Sequence, residues 1–187
     1  ITTKKYITYL QSRSKLGLLY RNFWLYPIIS KQLKGKTLDV GCGIGDMLKF
    51  RPNTIGVDIN KDCVNWCLEQ GLCAKHMKVN ELPFKDGSFD SVILDNVLEH
   101  IENPEPLLSE ISRVLRKKGV LVNGVPGLRG YGYDKDHKTF YSKDEVVVVL
   151  ERNGYINEKI FGMPLNVDWL DDKINQYCIY GRFIKKY

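Results

Sequence analysis

Leu38-Asp39-Val40-Gly41-Cys42-Gly43-Ile44-Gly45-Asp46 is the stretch from which the rest of the chain is read. Leu38 to Val40 read as the end of a buried strand, three glycines at alternate positions turn the backbone, and a helical segment follows. Glycine tolerates φ > 0 and lets a ligand approach the main chain closely, so the loop is a cradle. A dinucleotide fingerprint has the spacing G-x-G-x-x-G beside a pyrophosphate. Here the spacing is G-x-G-x-G, and Asp46 holds the place of the last fingerprint glycine. A second carboxylate, Asp39, precedes the loop. Acids on both sides disfavour a doubly negative pyrophosphate and favour a ligand carrying positive charge.

Outward from the cradle, the chain alternates strand and helix. Lys36 to Val40 predict the first strand, Asp46 to Phe50 a short helix, and Thr54 to Asp58 a second strand. Asp58 lies nineteen residues after Asp39, the spacing of an acid that accepts hydrogen bonds from ribose hydroxyls. Asn60 is placed to cap a helix over Lys61 to Gln70 that ends at Gly71. Cys73 to Met77 predict a third strand. Phe89-Asp90-Ser91-Val92-Ile93-Leu94-Asp95 is a nearly continuous apolar run, as in a parallel strand buried on both faces. Its carboxyl end is where such a sheet binds its ligand, so Asp95, Asn96 and Val97 should face it. Leu107, Leu108, Ile111, Val114 and Leu115 form one apolar stripe of a helix begun by Pro104 and Pro106 and expected to stop at Gly119. Val120 to Val125 predict the fifth strand. Ser142 and Glu145 have capping-box spacing. Tyr155 to Met163 and Ile174 to Phe183 then predict an antiparallel pair at the sheet edge, with Leu165 to Lys173 between them as a helical insert or lid. The fold class is α/β, a doubly wound, mostly parallel seven-stranded sheet with an antiparallel edge strand.

From about Thr37 to Pro126 these segments resemble the class I S-adenosylmethionine-dependent methyltransferases, especially the small-molecule branch called type 11. The resemblance implies a Rossmann-like fold and S-adenosyl-L-methionine as cofactor, with S-adenosyl-L-homocysteine as product. It implies that Asp39, Gly41, Cys42 and Gly43 cradle the cofactor and that Asp58 binds both ribose hydroxyls. Ile59 would pack on the adenine, and Asp95 and Asn96 would face the methionine part. One segment departs from the pattern. The family commonly has Gly-Asp-Ala-Glu-x-Leu-Pro-Phe where this chain has Lys78-Val79-Asn80-Glu81-Leu82-Pro83-Phe84. Lysine cannot accept a hydrogen bond from the adenine amine, so that task passes to main-chain groups around Val79 and to Asn80. The Leu98-Glu99-His100-Ile101 stretch recurs in members that methylate oxygen on small molecules. His100 is a candidate general base, because its pKa lies near neutrality. His137 and Tyr141 are the next candidates for acceptor contact or proton removal, and a structural role is open for all three.

Bulk properties bound the remainder. A length of 187 residues, 43% hydrophobic and 27% charged, describes one ordinary globular domain. Within it, 1–34 read as an aromatic helical cover, 36–126 as the cofactor-binding core, and 127–187 as the acceptor-side loop, helix and edge strands. The net charge of +6 allows an acidic partner, but the basic residues are dispersed. No apolar run approaches the ~20 residues that span a bilayer. No signal peptide is read, and a cytoplasmic location is expected. Peripheral membrane contact through 1–34 is a further reading of that amphipathic segment. The five cysteines (Cys42, Cys63, Cys67, Cys73, Cys178) follow no disulfide framework and read as free thiols. Cys63 and Cys67 share a helix face, but the three histidines are scattered in sequence, so no metal site is expected. The expected activity is methyl transfer to a hydroxyl or amine of a small polar metabolite, such as a sugar or cell-surface polysaccharide intermediate. An RNA methyltransferase is the alternative, although Asp95-Asn96-Val97-Leu98 is no Asn/Asp-Pro-Pro-Tyr/Phe motif and no cysteine follows a proline. A non-catalytic S-adenosylmethionine-binding protein is the third reading.

Overall fold

The structure is a computed structural model that describes residues 14–187; the reading of residues 1–13 as part of a cover lies outside them. Strand β1 (Thr37–Val40) is buried along its whole length and stands third in a seven-stranded sheet. It pairs in parallel with β2 (Thr54–Asp58) on one side and β4 (Phe89–Asp95) on the other. The full order is β3-β2-β1-β4-β5-β7-β6, with β3 at Ala74–His76, β5 at Leu115–Pro126, β6 at Tyr155–Met163 and β7 at Cys178–Lys185. The chain builds outward from β1 in one direction and from β4 in the other. The crevice between their carboxyl ends is therefore the switch point of the sheet, where an open α/β fold binds its ligand. β7 runs antiparallel to both β5 and β6, so the antiparallel strand is second from the edge.

Side-chain alternation divides the core between the two faces of the sheet. Val92 and Leu94 of β4 and Leu121 of β5 face one side. There they meet Leu107, Leu108, Ile111 and Val114 of a helix over Glu105–Val114 and Val146 and Leu150 of a helix over Lys143–Arg152. Ile93, Val120 and Val122 face the other side, against Leu25, Tyr26 and Ile29 of the N-terminal segment. In chain order the helices are α1 (Lys15–Tyr20), α2 (Tyr26–Gln32), α3 (Asp46–Phe50), α4 (Lys61–Glu69), α5 (Glu105–Val114), α6 (Leu128–Tyr131) and α7 (Lys143–Arg152). No helix among the described residues is long and apolar enough to cross a membrane.

Two local expectations change, and the cover carries one feature that its pattern does not announce. Gly119 does not end α5, which stops at Val114. Leu115 turns extended (φ −75°, ψ 137°) and pairs with Phe89, so strand pairing overrides a helical pattern that could have continued. The last strand begins at Cys178 rather than Ile174, because Tyr177 N–H closes a turn onto the Ile174 carbonyl at 3.1 Å. Between α1 and α2, Arg21–Leu25 widen into a π turn. Pro27 has no N–H to offer the carbonyl four residues back, and Tyr26 N–H reaches Arg21, five residues back.

The capping box at Ser142 forms as expected, with Glu145 returning to the Ser142 N–H at 2.8 Å. Ile111 is wholly buried where α5 meets the sheet. Ile111→Ala should lower the unfolding free energy by about 2–5 kcal/mol in a urea titration. A loss under about 1 kcal/mol would contradict this packing.

Candidate active site

The end of β2 fastens the glycine loop that follows β1. The Val57 carbonyl accepts the N–H of Gly41 (2.8 Å) and of Cys42 (3.0 Å). One Asp58 oxygen accepts the N–H of Gly43 (2.8 Å) and the other that of Asn60 (2.8 Å). Gly41 (φ +79°) and Gly45 (φ +77°) are left-handed, and a Cβ on Gly41 would stand 2.5 Å from the Val97 methyl. Only glycine fits there. Below the loop, Cys67 Sγ approaches the Gly43 carbonyl at 3.4 Å and packs with Cys42, both thiols free. Asn60 also caps α4 through the Asp62 N–H, so Asp58 both builds the loop and faces the space beside it.

A cavity of about 790 Å³ opens at this point, within the size range of small-molecule sites. Every residue expected at the cofactor lines it: Asp39, Gly41, Cys42, Gly43, Asp58, Ile59, Val79, Asn80, Asp95 and Asn96. Ile59 and Val79 are apolar yet 60% and 73% exposed, so both offer unburied hydrocarbon to the cavity. Asn80 sits at φ +57° in the tight turn after β3. Lys78 turns outward to Glu81 at 3.2 Å and is not among the lining residues.

The lining is strongly acidic. Asp39 is buried, and burial followed by the nearby charges of Asp95 and Asp58 holds its pKa well above the ordinary carboxylate range. Burial also raises Asp58, opposed by the two backbone N–H groups it accepts. Asp95 is braced by three side chains: it accepts from the Tyr180 hydroxyl at 2.6 Å and the Asn96 amide at 3.0 Å, and Arg21 lies 3.9 Å away. Burial raises the Tyr180 hydroxyl far above its usual value, so it remains a donor to Asp95.

The three catalytic candidates separate. His100 and His137 line the cavity and stand together, their ring centroids 4.8 Å apart. Scatter along the sequence is thus corrected by the fold. The N–H groups of Lys138 (2.7 Å) and Thr139 (3.1 Å) both bond to the Glu99 carbonyl, which draws the His137 loop against the short 3₁₀ turn Leu98–His100. Tyr141 does not line the cavity. It is buried in the core near α7, where burial raises its pKa, and this removes it from the acceptor site. Sequence reasoning had no specific signal for Arg21 or Tyr180. Both reach the site by tertiary packing, one from the cover and one from β7.

Comparison with known proteins agrees with this architecture. The methyltransferase-domain family of the type 11 branch matches residues 38–123. Uncharacterized protein MJ1123 of Methanocaldococcus jannaschii is 34% identical over 137 residues, which are 67% of this chain and 67% of that protein. Fatty-acid O-methyltransferase of Mycolicibacterium smegmatis is 28% identical over 81% of this chain and 59% of its own length. Two further M. jannaschii relatives are matched over only 38% and 44% of their lengths. A solved S-adenosylmethionine-dependent methyltransferase from Thermotoga maritima, described as a possible histamine N-methyltransferase, has a TM-score of 0.73. It shares 19% identity over 97% of this chain and 98% of that one, a likeness of fold. The chain belongs to the class I S-adenosylmethionine-dependent methyltransferases, in the type 11 branch. Its cofactor is S-adenosyl-L-methionine.

Burying the Asp39 charge costs stability that a neutral amide does not. A carboxyl raised in the folded state binds more protons folded than unfolded, so stability falls as pH rises through the unfolded pKa towards the folded one. Asp39→Asn should therefore raise the melting temperature at pH 7, with the gain shrinking towards pH 4. A lower melting temperature across that range would show that the Asp39 charge is stabilised in the fold.

Proposed function

We propose that the protein transfers the methyl group of S-adenosyl-L-methionine to a hydroxyl or amine of a small polar metabolite. The observation that carries this reading is the shared cavity. The acid-lined cradle and the His100–His137 pair open into the same space at the switch point of the sheet. Asp58 retains free lone pairs beyond its two backbone bonds and can accept from ribose hydroxyls. Ile59 and Val79 supply apolar surface for an adenine, and main-chain groups at Val79 with the Asn80 amide supply its polar contacts. Asp39, with Asp95 and Asn96, forms the acidic end suited to an ammonium and a sulfonium.

The cofactor, when bound, supplies an electrophilic methyl group. The protein's share is to fix an acceptor in line with it, an effect worth up to ~7–11 kcal/mol. Arg21 and Tyr180 hold Asp95 at the rim, and the glycine loop admits the ligand to the main chain. His100 and His137 are the groups placed to manage the acceptor's proton. Tyr133, Asp134, Asn175 and Gln176 line the same cavity, and polar groups of this kind suit a hydroxyl-rich acceptor.

A screen of extracted metabolites for transfer of labelled methyl tests the activity, with a labelled small molecule as the expected product. Label appearing only in RNA would replace this reading with the nucleic-acid alternative. Asp58→Ala should weaken S-adenosyl-L-homocysteine binding at least tenfold by calorimetry. Affinity within twofold of the parent would refute the ribose role of Asp58.

A further inference from the structure

We propose that Glu99, His100 and His137 bind one divalent transition-metal cation on the acceptor side of the cavity, with an acceptor hydroxyl completing its coordination. The site deepens the methyl-transfer reading, and the choice of a hydroxyl acceptor rests on that reading. One ligand atom from each of the three residues lies within 4.8 Å of the others. Ligand atoms held at ~2.0–2.2 Å from a shared cation stand about 3–4 Å from one another. His137 Nε2 and Glu99 Oε1, 3.9 Å apart, fit that spacing as they are.

The second observation is Glu99 itself. Its side chain is 1% exposed, and neither carboxylate oxygen has a hydrogen-bond partner among the described residues. A buried carboxyl group without a donor is costly, and such groups in folded proteins are normally satisfied. A cation between Glu99 and the imidazoles satisfies it. His137 Nε2 at 3.9 Å is too far to do so by a hydrogen bond.

The imidazoles are oriented for the task. His100 Nδ1 lies 3.3 Å from the Asp136 carbonyl and His137 Nδ1 lies 2.8 Å from the Tyr131 carbonyl. A carbonyl only accepts, so each Nδ1 carries the proton, which leaves the Nε2 lone pair of a neutral ring for a metal. Metal-binding histidines are commonly fixed through their other nitrogen in this way. Stacking on Tyr131 (centroids 5.3 Å) further limits rotation of the His137 ring.

Two imidazoles and one carboxylate suit zinc, manganese, iron or cobalt, whereas magnesium and calcium take oxygen sets. Three protein ligands leave coordination positions open, as in catalytic rather than structural sites. These ligands line the cavity that also holds Asp95 and Asn96, so an acceptor oxygen can reach the cation and the donor side together. The cation would act as a Lewis acid, with no change in its oxidation state. With their Nε2 lone pairs on the cation, His100 and His137 act on the acceptor's proton through the metal and not as bases: the bound hydroxyl is acidified and gives its proton to solvent, and its oxygen pair forms the bond to the methyl carbon. The carbon–sulfur pair returns to sulfur.

The direct test strips the full chain with a chelator and titrates it with cobalt(II), following visible absorption, and with zinc(II) by calorimetry. The expected result is one cation per chain. Glu99→Gln and His137→Ala should each weaken binding at least tenfold while S-adenosyl-L-homocysteine affinity stays within threefold of the parent, which shows that the variants fold. No saturable binding, or binding unchanged in both variants, overturns the site. Binding of one cobalt lost in the variants, by a chain that takes no S-adenosyl-L-homocysteine, supports the site and overturns the methyl-transfer reading instead.

Discussion

The loop after β1 depends on two acceptors at the end of β2. The Val57 carbonyl holds Gly41 and Cys42, and the Asp58 carboxylate holds Gly43. These bonds tie adjacent parallel strands at the switch point and fix a left-handed backbone that side chains would obstruct. Asp39 and Asp95 stand on neighbouring strands because β1 and β4 pair, and Ile59 follows Asp58 directly into the opening.

The same constraint explains why stability and binding pull apart here. Asp39, Asp46, Asp58 and Asp95 are among the acids that line one cavity. Burial and mutual repulsion raise Asp39, an arrangement that the isolated fold does not need. A ligand bearing positive charge relieves that repulsion, so the strain is directed at binding. Bracing from Arg21 and Tyr180 keeps Asp95 in place while the site stays acidic.

Much of this was legible in the sequence because its signals are local. The glycine spacing and the apolar run ending at Asp95 each belong to one strand and the turn after it, and the interval from Asp39 to Asp58 spans one strand–helix–strand unit. The candidate residues Asp39, Gly41, Gly43, Asp58 and Asp95 all line the cavity. What was not legible depends on distant segments meeting. His100 and His137 look unrelated in sequence, yet two backbone hydrogen bonds to Glu99 bring them together. Tyr141 looked suitable by residue type and proximity to His137, but packing sends it to the core. The end of α5 was missed because pairing of Leu115 with Phe89 decides it, and no helix-stop residue marks the place.

The central claim is that an acid-flanked, three-glycine loop at this switch point selects an adenosyl sulfonium over a dinucleotide. Calorimetric titration of the chain with S-adenosyl-L-methionine, S-adenosyl-L-homocysteine and NAD tests it most directly. The account predicts saturable binding of both adenosyl ligands at one per chain and none of NAD. Binding of NAD without either adenosyl ligand would contradict it.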